Sequence, residues 1–122
     1  MKEQMDAVDA DIAGLESVWE AGMEQAYDFY RAGAAPKVAL AAALVESAVT
    51  LQRLGGPAPD PLHLLLGDLC LARASRLLAE RGDQRLQVGF ARAVECVSAA
   101  ASGGPSSAPL RQLLVATIGG ET

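Results

Sequence analysis

The chain has 122 residues, of which 51% are apolar, 20% charged and only 4% aromatic; this allows one domain with a real core and excludes disorder or a large multidomain enzyme. Leu, Ala and Val are frequent while Ile and Thr are scarce, a composition that favours packed helices over an all-β fold. With 10 basic residues against 15 acidic ones the net charge is −5, so the basic footprint of a nucleic-acid binder is missing.

Residues 3–32 read as one long amphipathic helix. Met5, Val8, Ile12, Leu15, Trp19, Met23, Ala26 and Tyr30 recur mostly at three- and four-residue steps and form one apolar stripe. Asp9, Glu16, Glu20, Glu24 and Asp28 lie opposite as a solvated face. Asp6, Asp9 and Asp11 lack the glycine and distal glutamate of a calcium loop. Gly33 suits a helix end and Pro36 the first turn of the next helix, over 37–54. That helix is apolar almost all round: Val38, Leu40, Leu44, Val45, Val49, Leu51, Leu54 and many Ala. A loop over 55–60 ends in Asp60-Pro61, a helix-start signal for a third helix over 61–81. Asp83 is the N-cap of a fourth helix over 84–101, with Leu86, Phe90, Ala93 or Val94, and Val97 on its inner stripe. A second Gly/Ser/Pro loop over 102–107 leads to a last helix over 108–118, carrying Leu110, Leu113, Leu114 and Ile118.

Short connections between about five helices predict an all-α antiparallel bundle, with residues 1–122 as a single helical domain. The second and third helices are apolar on too many sides for a small monomer, which predicts a large subunit interface. Residues 1–60 carry four basic and ten acidic groups (−6), and residues 61–122 carry six and five (+1). The acidic part is therefore placed to meet the arginine-bearing part or a basic partner. No signal peptide and no apolar run near the length of a membrane span is present, so a soluble, cytoplasmic protein with no stable membrane anchor is expected.

Few residues suggest chemistry. Glu46, Asp68 and Glu95 interrupt apolar helices, and salt bridges to Arg73, Arg76 or Arg92, or hydrogen bonds to helix ends, are the expected explanation. A di-iron site needs Glu-x-x-His pairs, and the single histidine, His63, has none. Cys70 and Cys96 make no CxxC pair and sit in apolar helical stretches, which predicts buried, inert thiols rather than zinc or redox chemistry. Ser47, Ser75 and Ser98 have no G-x-S-x-G elbow, and the Gly pairs at 55–56, 103–104 and 119–120 have no phosphate-loop context. No catalytic residue and no metal ligand is assigned in this chain.

One stretch is more informative. Leu64-Leu65-Leu66-Gly67-Asp68-Leu69-Cys70-Leu71-Ala72-Arg73-Ala74 resembles the "L-x-G-D-y-L-x-x-x-A" helix of trans-prenyl diphosphate synthases. The preceding helix, Ala42, Leu44, Val45 and Glu46 through Leu51, is similar to that family's "A-x-x-x-E-x-x-H" helix. Arg31-Ala32-Gly33 through Pro36-Lys37 is similar to a degraded "G-K-R-x-R-P" segment. The resemblance covers roughly residues 30–101 and implies an isoprenoid-synthase-like fragment. Where the family places its first Asp-rich motif, this chain reads Gln52-Arg53-Leu54-Gly55-Gly56-Pro57-Ala58-Pro59-Asp60. A lone Asp60 cannot hold magnesium against a diphosphate, and the second Asp-rich motif lies beyond the length of this chain.

The resemblance therefore implies a non-catalytic small subunit of a heterodimeric hexaprenyl or heptaprenyl diphosphate synthase, of the type that feeds menaquinone side chains. Its partner would be a catalytic large subunit, which alone would carry Mg²⁺. By similarity, Gly67, Asp68, Leu69, Arg73, Arg76, Phe90 and Arg92 are subunit-interface candidates, and Val45, Ala48, Val49 and Gln52 would line the prenyl-chain tunnel and help set product length. A reading from a different class is an independent helical bundle that self-associates, as a homodimer when free, and serves as a scaffold or apolar-ligand binder. An active enzyme of the same family is disfavoured by the missing Asp-rich motifs.

Overall fold

The structure, a computed structural model, describes residues 9–52 and 57–120. Those residues form helices without strands. After a helical turn at 9–11 come α1 (Glu16–Val18), a wide π-type turn (Trp19–Met23) and α2 (Glu24–Arg31). Four further helices follow: α3 (Pro36–Gln52), α4 (Pro61–Glu80), α5 (Gln84–Ala101) and α6 (Leu110–Ile118). No helix among the described residues is long and apolar enough to cross a membrane.

The single helix expected over 3–32 is corrected to a broken arm, whose first residues lie outside the described ones. Gly14 adopts φ 86°, a left-handed conformation that glycine tolerates and other residues resist, and it ends the first helical turn. The Glu16 carboxylate reaches back to accept from the Gly14 amide at 3.1 Å. A second bend falls at Gly22, inside the π-type turn. The apolar stripe nevertheless survives both interruptions: Ile12, Leu15, Trp19, Met23, Ala26 and Tyr30 are all buried. Asp9, Glu16, Glu20, Glu24 and Asp28 are exposed. Arg73, from α4, donates to the Asp11 and Ala13 carbonyls, both at 2.8 Å, and so satisfies acceptors that the break at Gly14 leaves open.

Helix α3 is the centre of the molecule. Val38 to Val45 are buried without interruption, as are Ser47 and Ala48. Its alanines keep the helix thin, so that the N-terminal arm, α4, α5 and α6 all approach it. The expectation that its apolar surface needs another subunit is thus met differently: most of α3 is covered by its own chain. The largest helix–helix contact is α3 with α4. There Gly67 faces Gln52, and a Cβ at Gly67 would lie 2.9 Å from Gln52 Cγ.

Local start signals act as the sequence indicates. Asp60 accepts from the His63 amide at 2.9 Å, and Asp83 from the Leu86 amide at 3.1 Å. The last helix starts at Leu110 rather than 108, because Pro109 occupies its N-cap in an extended conformation. Leu86, Phe90 and Ala93 of α5 face the core, and Leu114 of α6 is fully buried.

The two cysteines part company, which corrects the expectation of two buried thiols: Cys70 is buried and Cys96 exposed. Burial pushes the Cys70 thiol up from 9.0 to about 11, against the opposing charge of Arg73. Its folded value is raised, so its contribution to stability is complete below pH 9.0 and is lost as the pH climbs towards 11. Near pH 8 a thiol reagent is expected to modify Cys96 quickly and Cys70 only after denaturation. Counting released chromophore before and after adding guanidinium checks this, and equal rates for both thiols in the native protein would contradict it.

Candidate functional site

Glu46 is the carboxylate placed on the most buried helix, so its partners decide the local structure. They are not the arginines that sequence pattern favoured. Arg111, from the first turn of α6, donates Nη2 to Oε1 at 2.7 Å and Nε to Oε2 at 3.1 Å, a two-pronged pair. The Tyr30 hydroxyl, from α2, donates to Oε2 at 2.7 Å. The Arg111 guanidinium also lies over the Phe29 ring, 4.4 Å from its centroid. Three helices thus converge on one carboxylate. The hydrogen bond to Glu46 holds Arg111 firmly in its charged form. Burial, and then Glu46, push the Tyr30 phenol well above its ordinary range, so it remains a donor.

Beside this cluster lies a cleft of about 450 Å³, opened by the bend at Gly22 and bounded by the N-terminal arm, α3, the start of α4 and α6. Val18, Met23, Leu51 and Leu66 supply apolar wall, and Glu46, His63 and Arg111 polar surface. His63 turns Nδ1 towards Asp60 Oδ2 at 3.5 Å. Among the described residues no group of three or more His, Cys, Asp or Glu side chains is placed to hold a metal ion.

The sequence-derived interface residues are dispersed. Gly67 is buried against Gln52, and Phe90 belongs to the core. Arg73 is engaged with the carbonyls near Gly14, and Leu69 is half-buried above that same glycine. Asp68 is exposed and accepts from Gln52 Nε2 at 3.1 Å. Arg76 and Arg92 are exposed on different helices, Arg92 beside Val88, Cys96 and Leu113 in a shallow groove between α5 and α6. Glu95 is exposed as well, so neither it nor Asp68 is the buried charge that an apolar helix suggests. One coherent surface does emerge on α4. Leu62, Leu65, Asp68, Ala72 and Arg76 follow three- and four-residue steps and are all exposed, Leu62 by 60% and Leu65 by 65%. Leu64, beside them, is 44% exposed.

The candidate tunnel residues share one face of α3. Val45 and Ala48 are buried, and Val49 and Gln52 half-buried. Val45 borders a smaller apolar recess, about 260 Å³, with Leu71, Ala74, Leu78 and Phe90. The larger cleft lies on the opposite face, at Glu46, Ser47, Thr50 and Leu51. Sequence reading missed both Arg111 and this cleft; a pairing between residues 65 positions apart leaves no local signal.

No family model matches the chain, and neither the curated proteins nor the solved structures contain a match.

Replacing Arg111 with Leu leaves the Glu46 carboxylate with one donor and removes the polar link between α6 and the α2–α3 pair, while Leu114 still packs in the core. The pair is partly solvated, with side-chain exposures of 43% for Arg111 and 24% for Glu46. The expected loss is therefore about 1–3 kcal/mol, below that of a fully buried pair. Tyr30→Phe removes one hydrogen bond and should cost about 1 kcal/mol. Urea denaturation of the three proteins measures both, and an unchanged midpoint for Arg111→Leu would refute the structural role of the pair.

Proposed function

We propose that the chain is a non-catalytic helical subunit that associates in the cytoplasm with a catalytic trans-prenyl diphosphate synthase subunit and helps set the length of its product. The observation that carries this reading is the exposed stripe of α4. That helix holds the segment most similar to the synthase family, and it presents Leu62, Leu65, Asp68 and Arg76 outward instead of burying them in its own core. Exposed leucines at successive turns, rimmed by one acid and one base, have the composition of a protein–protein contact. Gly67 supports the same reading, because its missing side chain lets Gln52 and Asp68 join at the edge of that surface.

On this reading the magnesium that holds a diphosphate belongs to the partner. One further feature fits a supporting role. The strongest polar cluster, Glu46 with Arg111 and Tyr30, is satisfied within the fold and joins three helices.

The same leucines favour a second reading, self-association of two copies through α4, in which the bundle acts without a synthase. Tagged protein recovered from its native cell separates the two. The subunit reading expects a stoichiometric partner bearing two Asp-rich prenyltransferase motifs. It also expects Leu65→Asp to abolish that recovery while circular dichroism and thermal melting stay unchanged, since the side chain is already solvated. Recovery of the tagged chain only with itself, in a homodimer that Leu65→Asp dissolves, would establish the second reading and overturn the first.

A further inference from the structure

The cleft at Gly22 is unused by the proposed subunit role, and its chemistry is specific. Both Glu46 oxygens are occupied, by two Arg111 nitrogens and the Tyr30 hydroxyl, so the carboxylate has little left to offer a cationic ligand. Arg111 is asymmetric: Nε and Nη2 are taken up by Glu46, while Nη1 has no hydrogen bond to protein among the described residues. The Arg111 side chain is 43% exposed and lines the cleft. His63 borders the same space with Nδ1 turned to Asp60; a neutral ring that donates there leaves Nε2 an acceptor, so His63 adds polar wall but no donor for an anion. The remaining wall is largely apolar, from Val18, Met23, Leu51 and Leu66. A volume of about 450 Å³ falls within the usual range for small-molecule sites.

We propose that this cleft binds a small amphipathic carboxylate, with its head group on Arg111 Nη1 and its alkyl chain along Val18, Met23, Leu51 and Leu66. A carboxylate suits the free edge of a guanidinium, which offers planar, charge-assisted donors. The ligand would touch α6 through Arg111, α4 through Leu66, α3 through Leu51 and the N-terminal arm through Val18 and Met23. Binding would therefore add α4 to the elements that already meet at Glu46. This site does not depend on the α4 contact surface, and it lies on the face of α3 opposite Val45, Ala48, Val49 and Gln52.

Gly22 provides a direct test, because a Cβ built there meets nothing within 4 Å and a larger side chain would grow into open space at the cleft. The full chain is titrated calorimetrically with decanoate, and separately with decyltrimethylammonium, each below its micellisation threshold. Decanoate is expected to bind saturably at one site, with decyltrimethylammonium weaker by at least about tenfold. Gly22→Leu is expected to weaken decanoate by a similar factor. Ala21→Leu, at an exposed position on the same cleft, provides a second blocking variant should Gly22→Leu fail to fold. No saturable decanoate binding, equal affinity for the two amphiphiles, or undiminished affinity in a folded blocking variant would each overturn the proposal.

Discussion

A helix without a polar face can be stable only if it is wrapped, and that constraint on α3 organises this molecule. Val38 to Val45 have no solvated side, so the chain must place neighbours all round them. The small alanines allow close approach and the leucines fill the gaps, giving a core that runs from Ile12 to Leu114. One acidic side chain sits on this helix, Glu46, and it fixes the end of α2 and the start of α6 against α3. Tyr30 and Arg111 supply its donors, and Phe29 packs beneath the guanidinium. A nine-residue helix such as α6 has little intrinsic stability; Leu114 in the core and Arg111 on Glu46 hold it in place.

Wrapping α3 leaves α4 only partly used. Gly67, Cys70, Ala74, Leu77 and Leu78 turn inward, while Leu62, Leu64 and Leu65 remain in solvent at the helix start. The two sides of α3 also differ. The face carrying Val45, Ala48, Val49 and Gln52 packs towards α4 and the recess beside α5, whereas the Glu46 face opens into the larger cleft. The proposed partner contact on α4 and the proposed small-molecule site at Gly22 thus lie on separate surfaces, connected through the helix between them.

How much of this was legible in the sequence depends on the range of the interaction concerned. Asp60, Asp83 and Pro36 mark helix starts through contacts within one turn, and all three act where their residue types indicate. The burial of Leu86 and Phe90 follows from spacing alone, whereas spacing leaves Ala93 and Val94 open and the fold buries Ala93. The arm before Gly33 misleads because its apolar stripe keeps helical spacing through Gly14 and Gly22, so periodicity conceals the breaks that their backbone angles create. Glu46 was recognisable as a charge needing a partner, but the choice of Arg111 over Arg73 depends on how α6 folds back. Arg73 is drawn away by the carbonyls that the break at Gly14 exposes. The cleft was invisible for the same reason, since it exists only because of that bent arm.

The central functional claim is that the chain contributes to prenyl transfer by association and performs none of it alone. The most direct measurement is incorporation of labelled isopentenyl diphosphate into long-chain product, with magnesium and an allylic primer. It compares this chain, a catalytic subunit from the same cell bearing both Asp-rich motifs, and the two mixed. The account predicts no product from this chain alone and, on mixing, a gain in activity or a longer product than the catalytic subunit makes by itself. Identical rates and product lengths with and without this chain would contradict it.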